Sequence, residues 1–361
     1  AVTFEATDEE LREVTTDMFN DSASWFAAKA TPTFQDQVDA QGGVGDETWE
    51  ASPYNAQGAY DWYQRPIYQN MTFENIRIPM GNNGLFDNCT FEGVTYIETE
   101  PDCRDENWNY VGALERVEVP DTDPQEYVYE TKYPGLTAFL GPDELTDTKP
   151  YSNNLRFHDC TFIGSISGIK PDEYAHWRNK LQLTGKTRFY IDPDDPDLDA
   201  QDDAQDIRDV INAMPLEDLE ELAKSSILVP GWSADIGNFT NEQDADPLLT
   251  PKVKLKGTIV AGILDVRGTA DVFGTLLMTF RPVEDEGPLY YGGLTDAFNT
   301  TVGYFGPSDG DGEGIDPDEA QFLGFGEITL RYDDEAKLPD GIPWPIGIEA
   351  DPVTYVEGGS M

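Results

Sequence analysis

An acidic stretch near the C-terminus carries the side chains best suited to binding a cation. Asp309, Asp311 and Glu313 alternate with glycines, and Asp316 and Glu319 follow shortly after. Oxygen ligands at positions 1, 3 and 5, with glycine at position 6, match the opening of an EF-hand loop for Ca²⁺. The match fails after position 6, because the apolar residue lies at position 7 instead of 8 and the final glutamate at position 11 instead of 12. We interpret the stretch either as a calcium loop of another type or as a solvated acidic turn.

A second acidic run is a weaker cation candidate. Eight aspartates lie between Asp192 and Asp206, where Pro193 and Pro196 hold the chain extended. Repeated proline and like charge exclude a packed strand here. We favour a solvated segment over a cation site.

Catalytic residues are harder to nominate. Hydrolysis of a glycosidic bond needs two carboxylates at a set separation, and the chain offers 70 acidic residues. His158 is a lone histidine at a position expected to face outward, which is seldom catalytic. The sequence contains no phosphate loop, nucleophile elbow or dinucleotide fingerprint.

Basic residues are sparse but form two local groups. Lys252, Lys254 and Lys256 alternate as a solvent-facing row on a strand would, which favours a role in protecting or orienting that strand. Arg178 and Lys180 lie beside His176 and Trp177. We favour a surface or packing role for this second group, although Trp177 is also a possible stacking surface for a sugar.

Charge excludes two classes of partner. The 361 residues carry 70 acidic and 23 basic side chains, a formal charge of −47. Nucleic acid and anionic membrane surfaces would be repelled. No apolar run approaches the ~18 residues of a membrane helix, so we expect no transmembrane segment. The acidity reflects either a saline medium or a set of cation sites.

A repeated motif indicates the scaffold that must position these groups. The stretch Phe86 to Gly93 returns as Phe157 to Gly164, with Asp159 in place of asparagine, and Phe73 begins a shorter echo that includes Asn75, Ile76 and Ile78. Apolar side chains point inward, and Asn or Asp tolerates the left-handed backbone of a corner. A second block from Val253 to Phe280 has short apolar strands punctuated by glycines, at Gly257, Gly262, Gly268 and Gly274. Repeats of this kind predict a β-solenoid.

The first block resembles the right-handed parallel β-helix family. The second is similar to glycine-punctuated solenoid segments of polymer-forming and pilus-related bacterial surface proteins. These resemblances imply a mainly β fold, a parallel β-helix or β-solenoid, with a helical N-terminal arm and a helical insertion. Many β-helix proteins are polysaccharide lyases or hydrolases, so the resemblance also keeps an enzyme open.

Composition shifts divide the chain into five segments. Thr7 and Glu10 form a capping box ahead of an apolar face that ends at Met18, which predicts a helical arm over 1–45. We expect the arm to cover an open end of the solenoid or to dock on a neighbouring subunit. The remaining boundaries are a β-helix block at 46–185 with a loop insertion at 98–150, an acidic linker and helical insertion at 186–250, the glycine-punctuated block at 251–305, and the calcium-type loop with the C-terminal segment at 306–361.

Two further expectations concern side chains inside these segments. Ile207, Val210, Ile211 and Met214 predict one short helix, and Pro215 begins a second with Leu216, Leu219 and Leu222 on one face. Cys89 and Cys160 occupy the same repeat position, so they stack inside the solenoid as small apolar residues or form a disulfide. Cys103 lies in the loop insertion, and we favour unbonded cysteines.

These features favour a structural or adhesive protein exported to the cell surface or beyond it, without catalytic turnover. We expect self-association, as in a calcium-stabilised filament, and contacts with other surface proteins or glycans. Two alternatives stay open: a polysaccharide-active β-helix enzyme, either lyase or glycoside hydrolase, and a carbohydrate-binding module.

Overall fold

The structure is a computed structural model that describes residues 16–54, 60–172, 174–238, 251–266, 268–279, 301–302, 328–331 and 337–339. The fold is mainly β, and 14 strands hydrogen-bond into one sheet. Its pairings are parallel apart from the antiparallel pair between its first two strands. The expectation of a mainly β fold built on parallel strands is therefore confirmed.

The elements follow one another in a simple order. The helices are α1 (Asn20–Lys29), α2 (Phe34–Ala40), α3 (Ala204–Ala213) and α4 (Leu216–Leu222). The first nine strands are β1 (Glu47–Ser52), β2 (Asp61–Gln69), β3 (Thr72–Ile78), β4 (Leu85–Asp87), β5 (Thr90–Ile97), β6 (Leu114–Glu118), β7 (Tyr127–Thr131), β8 (Ala138–Leu140) and β9 (Asp143–Leu145). The others are β10 (Asn154–His158), β11 (Thr161–Gly168), β12 (Lys180–Thr184), β13 (Arg188–Tyr190), β14 (Ile227–Ile236), β15 (Val253–Val266), β16 (Ala270–Met278), β17 (Thr301–Val302) and β18 (Ile328–Arg331).

From β2 to β13, the strands of the large sheet pair not with the next strand of that sheet but with strands further along the chain. β2 pairs with β4, and β4 with β10, while β3 pairs with β5, and β5 with β11. β12 and part of β14 extend the first of these ladders. Each ladder therefore places residues of the same repeat position on top of one another.

Inward aromatic side chains form two stacks along these ladders. In the first, Tyr68 stacks on Phe86 with ring centroids 4.7 Å apart, and Phe86 stacks on Phe157 at 5.1 Å. The second stack contains the inward phenylalanines of four strands, with successive centroids 5.2, 4.6 and 4.5 Å apart: Phe73, Phe91, Phe162 and Phe189. Offset aromatic stacks add about 0.5–1.5 kcal/mol per pair to the burial of their apolar area. These rings form the centre of the main core.

The repeat has one more copy than the sequence predicts, and its alignment differs. Phe73 pairs with Phe91, whereas the partner of Phe86 in the preceding strand is Tyr68. Matching Phe73 to the position of Phe86 in the repeat is therefore wrong, because Phe73 follows its corner residue whereas Phe86 precedes its own. The first two copies are 18 residues apart in the chain. Their corner residues Asn70 and Asn88 have this spacing, and Asn88 Nδ2 donates a hydrogen bond to Asn70 Oδ1. Tyrosine in place of phenylalanine conceals this copy in the sequence.

The corners use the residues that tolerate a left-handed backbone. Asn70, Asn88 and Asp159 have φ values of 56°, 52° and 54° at equivalent corners. At the next corner Gly164 approaches Gly93 so closely that a Cβ atom on Gly164 would lie 1.9 Å from the Gly93 carbonyl oxygen. Only glycine fits that position.

Helix α2 covers the edge of β3. Phe34 stacks on Phe73 with centroids 5.6 Å apart and belongs to the main core with Val38. The side-chain amide of Gln37 forms two 2.9 Å hydrogen bonds with the backbone N–H and carbonyl of Glu74. Gln41 forms the same pair with Thr72, at 2.7 and 2.8 Å. The two glutamines thus replace the neighbouring strand that the edge of β3 lacks.

The predicted insertions lie outside the main core and have small cores of their own. Cys103 and Trp108 pack together in the insertion between β5 and β10, where β6 pairs with β7 and β8 with β9. Ile207 and Ile211 of α3 pack against Ile163 and Tyr190, as the predicted helical face requires. The second predicted helix is α4; on its predicted face Leu222 is buried, whereas Leu216 is 71% exposed.

The glycine-punctuated block forms β15 and β16, which pair in register from Val253↔Ala270 to Ala261↔Met278. Gly257 and Gly274 face each other at a corner, both with positive φ. All three cysteines are buried and have free thiols. In the part of the chain that the structure describes, no helix has the length and apolarity needed to span a membrane.

Candidate functional site

Aromatic residues line the outer face of β1 and β2. These strands pair antiparallel with Trp49 opposite Gln64 and Ala51 opposite Trp62. Side chains alternate along a strand, so Trp49, Trp62 and Gln64 face outward while their neighbours face the body of the protein. Together with Asn82 and Asp147 they line a cavity of about 470 Å³, which we call the aromatic cleft.

The β6–β7 hairpin of the insertion supports the rings of the aromatic cleft. Tyr129 stacks on Trp49 with centroids 3.7 Å apart and a 10° interplanar angle. The guanidinium of Arg116 lies 4.3 Å above the Trp62 ring and 4.4 Å above Tyr127. One face of each tryptophan is therefore covered by a neighbour that holds the ring in place.

A buried polar cluster lies directly beneath the cleft and fixes its walls. Lys149 Nζ lies 2.9 Å from Asp61 Oδ1 and donates 3.0 Å hydrogen bonds to the carbonyls of Trp62 and Gly112. Asp61 Oδ2 accepts from Arg178 Nη1. Asp61 and Arg178 are almost completely buried. The cluster connects β2, the insertion and the segment before β12.

Arg178 uses its donors on partners in three parts of the chain. Besides Asp61, it donates to the Tyr63 hydroxyl at 2.9 Å, to the Val111 carbonyl at 2.7 Å and to Thr148 Oγ1 at 3.0 Å. Burial alone lowers the pKa of Arg178, but Tyr63 and Asp61 outweigh it and the net shift is upward. Arg178 is therefore a permanently charged structural anchor, which confirms the favoured packing role.

The pKa shifts of its neighbours follow from the same burial. Burial raises the pKa of Tyr63 to about 12, against the lowering effect of Arg178. Burial lowers the pKa of Lys149, and Asp61 opposes that shift. A buried lysine with a lowered pKa is often a functional group. Here the three ammonium hydrogens all have acceptors, so Lys149 supports the cleft rather than presenting a free amine.

A second group of ion pairs continues the cluster along the outer face of the first ladder. Glu50 pairs with Arg65 at 3.0 Å and also with Arg156, while Lys180 Nζ lies 2.9 Å from Asp235. With Lys149 and Arg178, this face therefore holds five buried or nearly buried cations against three carboxylates, in a chain with a formal charge of −47. A large share of its few basic residues thus stabilises the wall behind the cleft.

Two polar side chains of the cleft keep acceptor atoms for a ligand. Gln64 donates a hydrogen bond from its amide nitrogen to Glu47, and its carbonyl oxygen takes no part in that bond. Asp147 Oδ1 accepts from the backbone N–H of Lys149 at 3.0 Å, and its side chain is exposed. Asn82 is already engaged with the Tyr68 hydroxyl at 2.7 Å. Tryptophan faces with a few polar acceptors at the rim suit sugar rings, whose C–H faces stack on aromatics.

No protein-family model, curated protein or solved structure matches this chain significantly. The site is therefore interpreted from its own residues.

The basic and aromatic residues predicted from the sequence are placed near the cleft but not in it. His176 is buried, and Trp177 stacks on Tyr60 with centroids 4.6 Å apart. Lys180 is buried in its pair with Asp235. His158 is half-exposed, and its Nδ1 lies 3.0 Å from Thr184 Oγ1. None of these four forms a catalytic arrangement with another within the described residues.

The acidic run after β13 and the lysines of β15 neutralise each other. Lys254 pairs with Asp197 at 3.3 Å and Lys256 with Asp195 at 2.9 Å. Asp195 is 4% exposed, so the expectation of a wholly solvated run is wrong at this residue. Asp199 and Asp203 form further pairs with arginines. The lysines do lie at outward positions, as their alternation predicts.

The predicted calcium ligands Asp309, Asp311, Glu313, Asp316 and Glu319 lie outside the described residues. Within the described ranges, no group of three or more His, Cys, Asp or Glu side chains is arranged to hold a metal ion. The sequence did not single out Trp49, Trp62 and Tyr129. The signals available were Trp49 between the polar residues Thr48 and Glu50, and the adjacent aromatic pair Trp62–Tyr63.

Proposed function

We propose that the protein is an adhesive surface protein that binds carbohydrate through the aromatic cleft without chemical turnover. Two tryptophans held on one outer face by the β6–β7 hairpin carry this proposal. Because aromatic faces bind sugar rings with little loss of side-chain entropy, rigid tryptophans suit a glycan ligand.

The scaffold we propose for this site is a β-solenoid of the right-handed parallel β-helix type. Its support is the pairing of each strand with the strand one coil later and the stacking of equivalent phenylalanines. Such a coil presents long flat faces, and the cleft lies where an antiparallel strand and an insertion are added to one of them. Insertions carry the ligand-binding surface, while the coil supplies rigidity.

The small number of carboxylates in the cleft supports the proposed absence of chemical turnover. Among the described residues that line it, Asp147 is the single acidic side chain. Glycoside hydrolysis needs a pair of carboxyl groups about 5–10 Å apart. A binding role therefore fits the cleft better than the alternative of a polysaccharide-active enzyme.

The remaining parts of the proposal concern place and assembly. We propose display at the cell surface or release to the extracellular space, with calcium bound at Asp309–Glu319 and self-association into filaments. The covering of β3 by Gln37 and Gln41 favours assembly through the opposite end of the coil. Electron microscopy of negatively stained protein in calcium and then in chelator, at fixed ionic strength, tests the assembly.

The binding site is tested by native gels containing neutral, acidic and amino polysaccharides. We expect at least one polysaccharide to retard the protein, and Trp49→Ala and Trp62→Ala to abolish the retardation. Phe139→Ala is the matched control, because Phe139 is an exposed ring of the same insertion, 56% accessible, outside the cleft. Equal retardation of all three variants would exclude the cleft. Release of reducing or unsaturated ends by the purified protein would replace the binding role with an enzymatic one.

A further inference from the structure

A second cleft lies between helix α1, the strands β3 and β5, and helices α3 and α4. Its volume is about 500 Å³, within the range of small-molecule pockets. We call it the α1–α3 cleft. Its lining combines apolar side chains of the helices with carboxylates at its edge.

The apolar part of this cleft is built by three elements. Trp25 of α1, Met214 after α3 and Leu222 of α4 surround Val94 of β5, which is 1% exposed. Trp25 and Met214 remain partly accessible. An indole ring and a thioether at the wall of a cavity suit a flat apolar ligand, and the indole also attracts a cation through its ring face.

The edge of the cleft holds negative charge that the described residues leave without a cation. Glu74 and Glu92 are directly opposite each other on the parallel strands β3 and β5, whose spacing is about 4.8 Å. Like charges placed opposite each other on neighbouring strands are destabilising. Within the described part of the chain, no cation pairs with either side chain. Lys29 lines the same cleft, but its ammonium pairs with Asp218.

Burial agrees with this geometry. Glu92 is half-buried, and burial followed by the charge of Glu74 raises the pKa of its carboxyl group. A cation bound between the two carboxylates would reduce their mutual repulsion and would stabilise the charged form of the half-buried Glu92. A small inorganic ion is a poorer fit, because the described residues contain no group of three metal ligands here and much of the lining is apolar.

We propose that the α1–α3 cleft binds a small organic amine, with the ammonium group between Glu74 and Glu92 and the apolar body against Trp25 and Met214. This site is separate from the aromatic cleft and does not depend on carbohydrate binding there. The cleft offers negative charge at its edge and apolar surface in its interior. The ligand must therefore carry a positive charge and an apolar group.

Calorimetric titration with tryptamine tests the proposal, with indole-3-acetate and spermidine as comparison ligands at fixed ionic strength. Indole-3-acetate keeps the ring but reverses the charge. Spermidine keeps positive charge but lacks the ring, so it reports binding to the overall acidity of the chain. We expect saturable 1:1 binding of tryptamine, no binding of indole-3-acetate, and weak unsaturable uptake of spermidine.

Glu74→Gln and Glu92→Gln should each weaken tryptamine binding about tenfold or more, since each removes one charged acceptor. Both variants should fold, because they remove a like-charge repulsion. Glu118→Gln is the matched control, since Glu118 is an exposed acid of the β6–β7 hairpin. Unchanged affinity in both cleft variants, equal binding of spermidine and tryptamine, or no tryptamine binding at millimolar concentration would overturn the proposal. Polysaccharide retardation by the aromatic cleft is measured on the same variants and should not change.

Discussion

Arg178 and Asp61 are 117 residues apart in the chain and form a buried ion pair beneath the aromatic cleft. The pair connects strand β2 to the segment before β12, and Arg178 extends the connection to the insertion through Val111 and Thr148. Without Arg178, the buried Asp61 carboxylate keeps Lys149 as a cationic partner but loses the guanidinium. The Tyr63 hydroxyl and the Val111 carbonyl also each lose a hydrogen bond, and such losses are costly for buried groups.

We therefore expect Arg178→Met to lower the free energy of unfolding by about 3–5 kcal/mol. Urea denaturation followed by near-ultraviolet circular dichroism measures the change and reports the aromatic cluster directly. Arg104→Met is the control, because Arg104 forms exposed pairs with side-chain exposure of 81% and should change stability by less than about 1 kcal/mol. Similar losses in the two variants would contradict the anchoring role of Arg178.

The phenylalanine stack predicts a second large effect. Phe91 lies between Phe73 and Phe162 and is 1% exposed, so Phe91→Ala should cost about 3–5 kcal/mol. Phe139→Ala removes an exposed ring and should change stability by less than about 0.5 kcal/mol. The comparison uses the midpoint and slope of urea unfolding. A small effect at Phe91 would mean that the stack is not the centre of the core.

The glutamine cap of β3 predicts a change in association as well as in stability. Gln37→Ala with Gln41→Ala removes four hydrogen bonds to the edge strand, which should cost about 1–2 kcal/mol because the groups are largely exposed. The uncovered edge should also favour oligomers, seen by size-exclusion chromatography with light scattering. Gln35→Ala is the control on the same helix, since Gln35 bonds only to Asp39 within α2. Oligomers in the control would attribute the effect to helix loss rather than to the edge.

Alkaline pH should unfold the protein through Tyr63. Folded Tyr63 keeps its proton up to about pH 12, whereas in the unfolded chain its pKa is near 10. Since the pKa is raised on folding, the contribution of Tyr63 to stability is complete below pH 10 and is lost between pH 10 and 12. The loss amounts to about 2–3 kcal/mol.

Tyr63→Phe removes that titration while keeping the ring. Urea unfolding between pH 9 and 12 should therefore show a shallower decline for the variant than for the unchanged protein. Parallel declines for the two proteins would show that other groups control alkaline unfolding.

Calcium should raise the melting temperature through the Asp309–Glu319 stretch. A ligand present at about 100 times its dissociation constant stabilises the folded state by about 2.7 kcal/mol. Differential scanning calorimetry in calcium, in magnesium and in chelator measures the shift at fixed ionic strength. Asp309→Asn with Asp311→Asn should abolish it, while Asp194→Asn, in the other acidic run, should not. A melting temperature that is equal in all three solutions would exclude calcium binding.

The sequence predicted the register of the parallel strands better than the cleft. Phe86 to Gly93 and Phe157 to Gly164 do lie in register, because a repeated alternation of apolar residues and a corner asparagine reports local structure directly. The copy around Tyr68 was missed because its core position holds tyrosine and its corner is followed by methionine. The aromatic cleft was missed because Trp49, Trp62 and Tyr129 meet only through an antiparallel strand and a distant hairpin. Long-range packing of single aromatic residues has no periodic signal.

The partners of the buried cations could not be predicted from the sequence either. Arg178 and Lys180 look like a surface cluster in the sequence, because their partners Asp61 and Asp235 are far away in the chain. Asp195 and Asp197 likewise pair with Lys256 and Lys254, which lie 61 and 57 residues further along the chain. In a chain this acidic, the sequence does not reveal which carboxylates are paired.

The position of Gln37 and Gln41 has a consequence for synthesis. Both residues precede β3 in the chain, so they leave the ribosome before the strand that they cover. β3 therefore meets its cover as soon as it forms, and β5, which follows in the chain, adds to the other edge of β3. This order allows the ladder of β3, β5 and β11 to grow in the direction of translation with its first edge already covered.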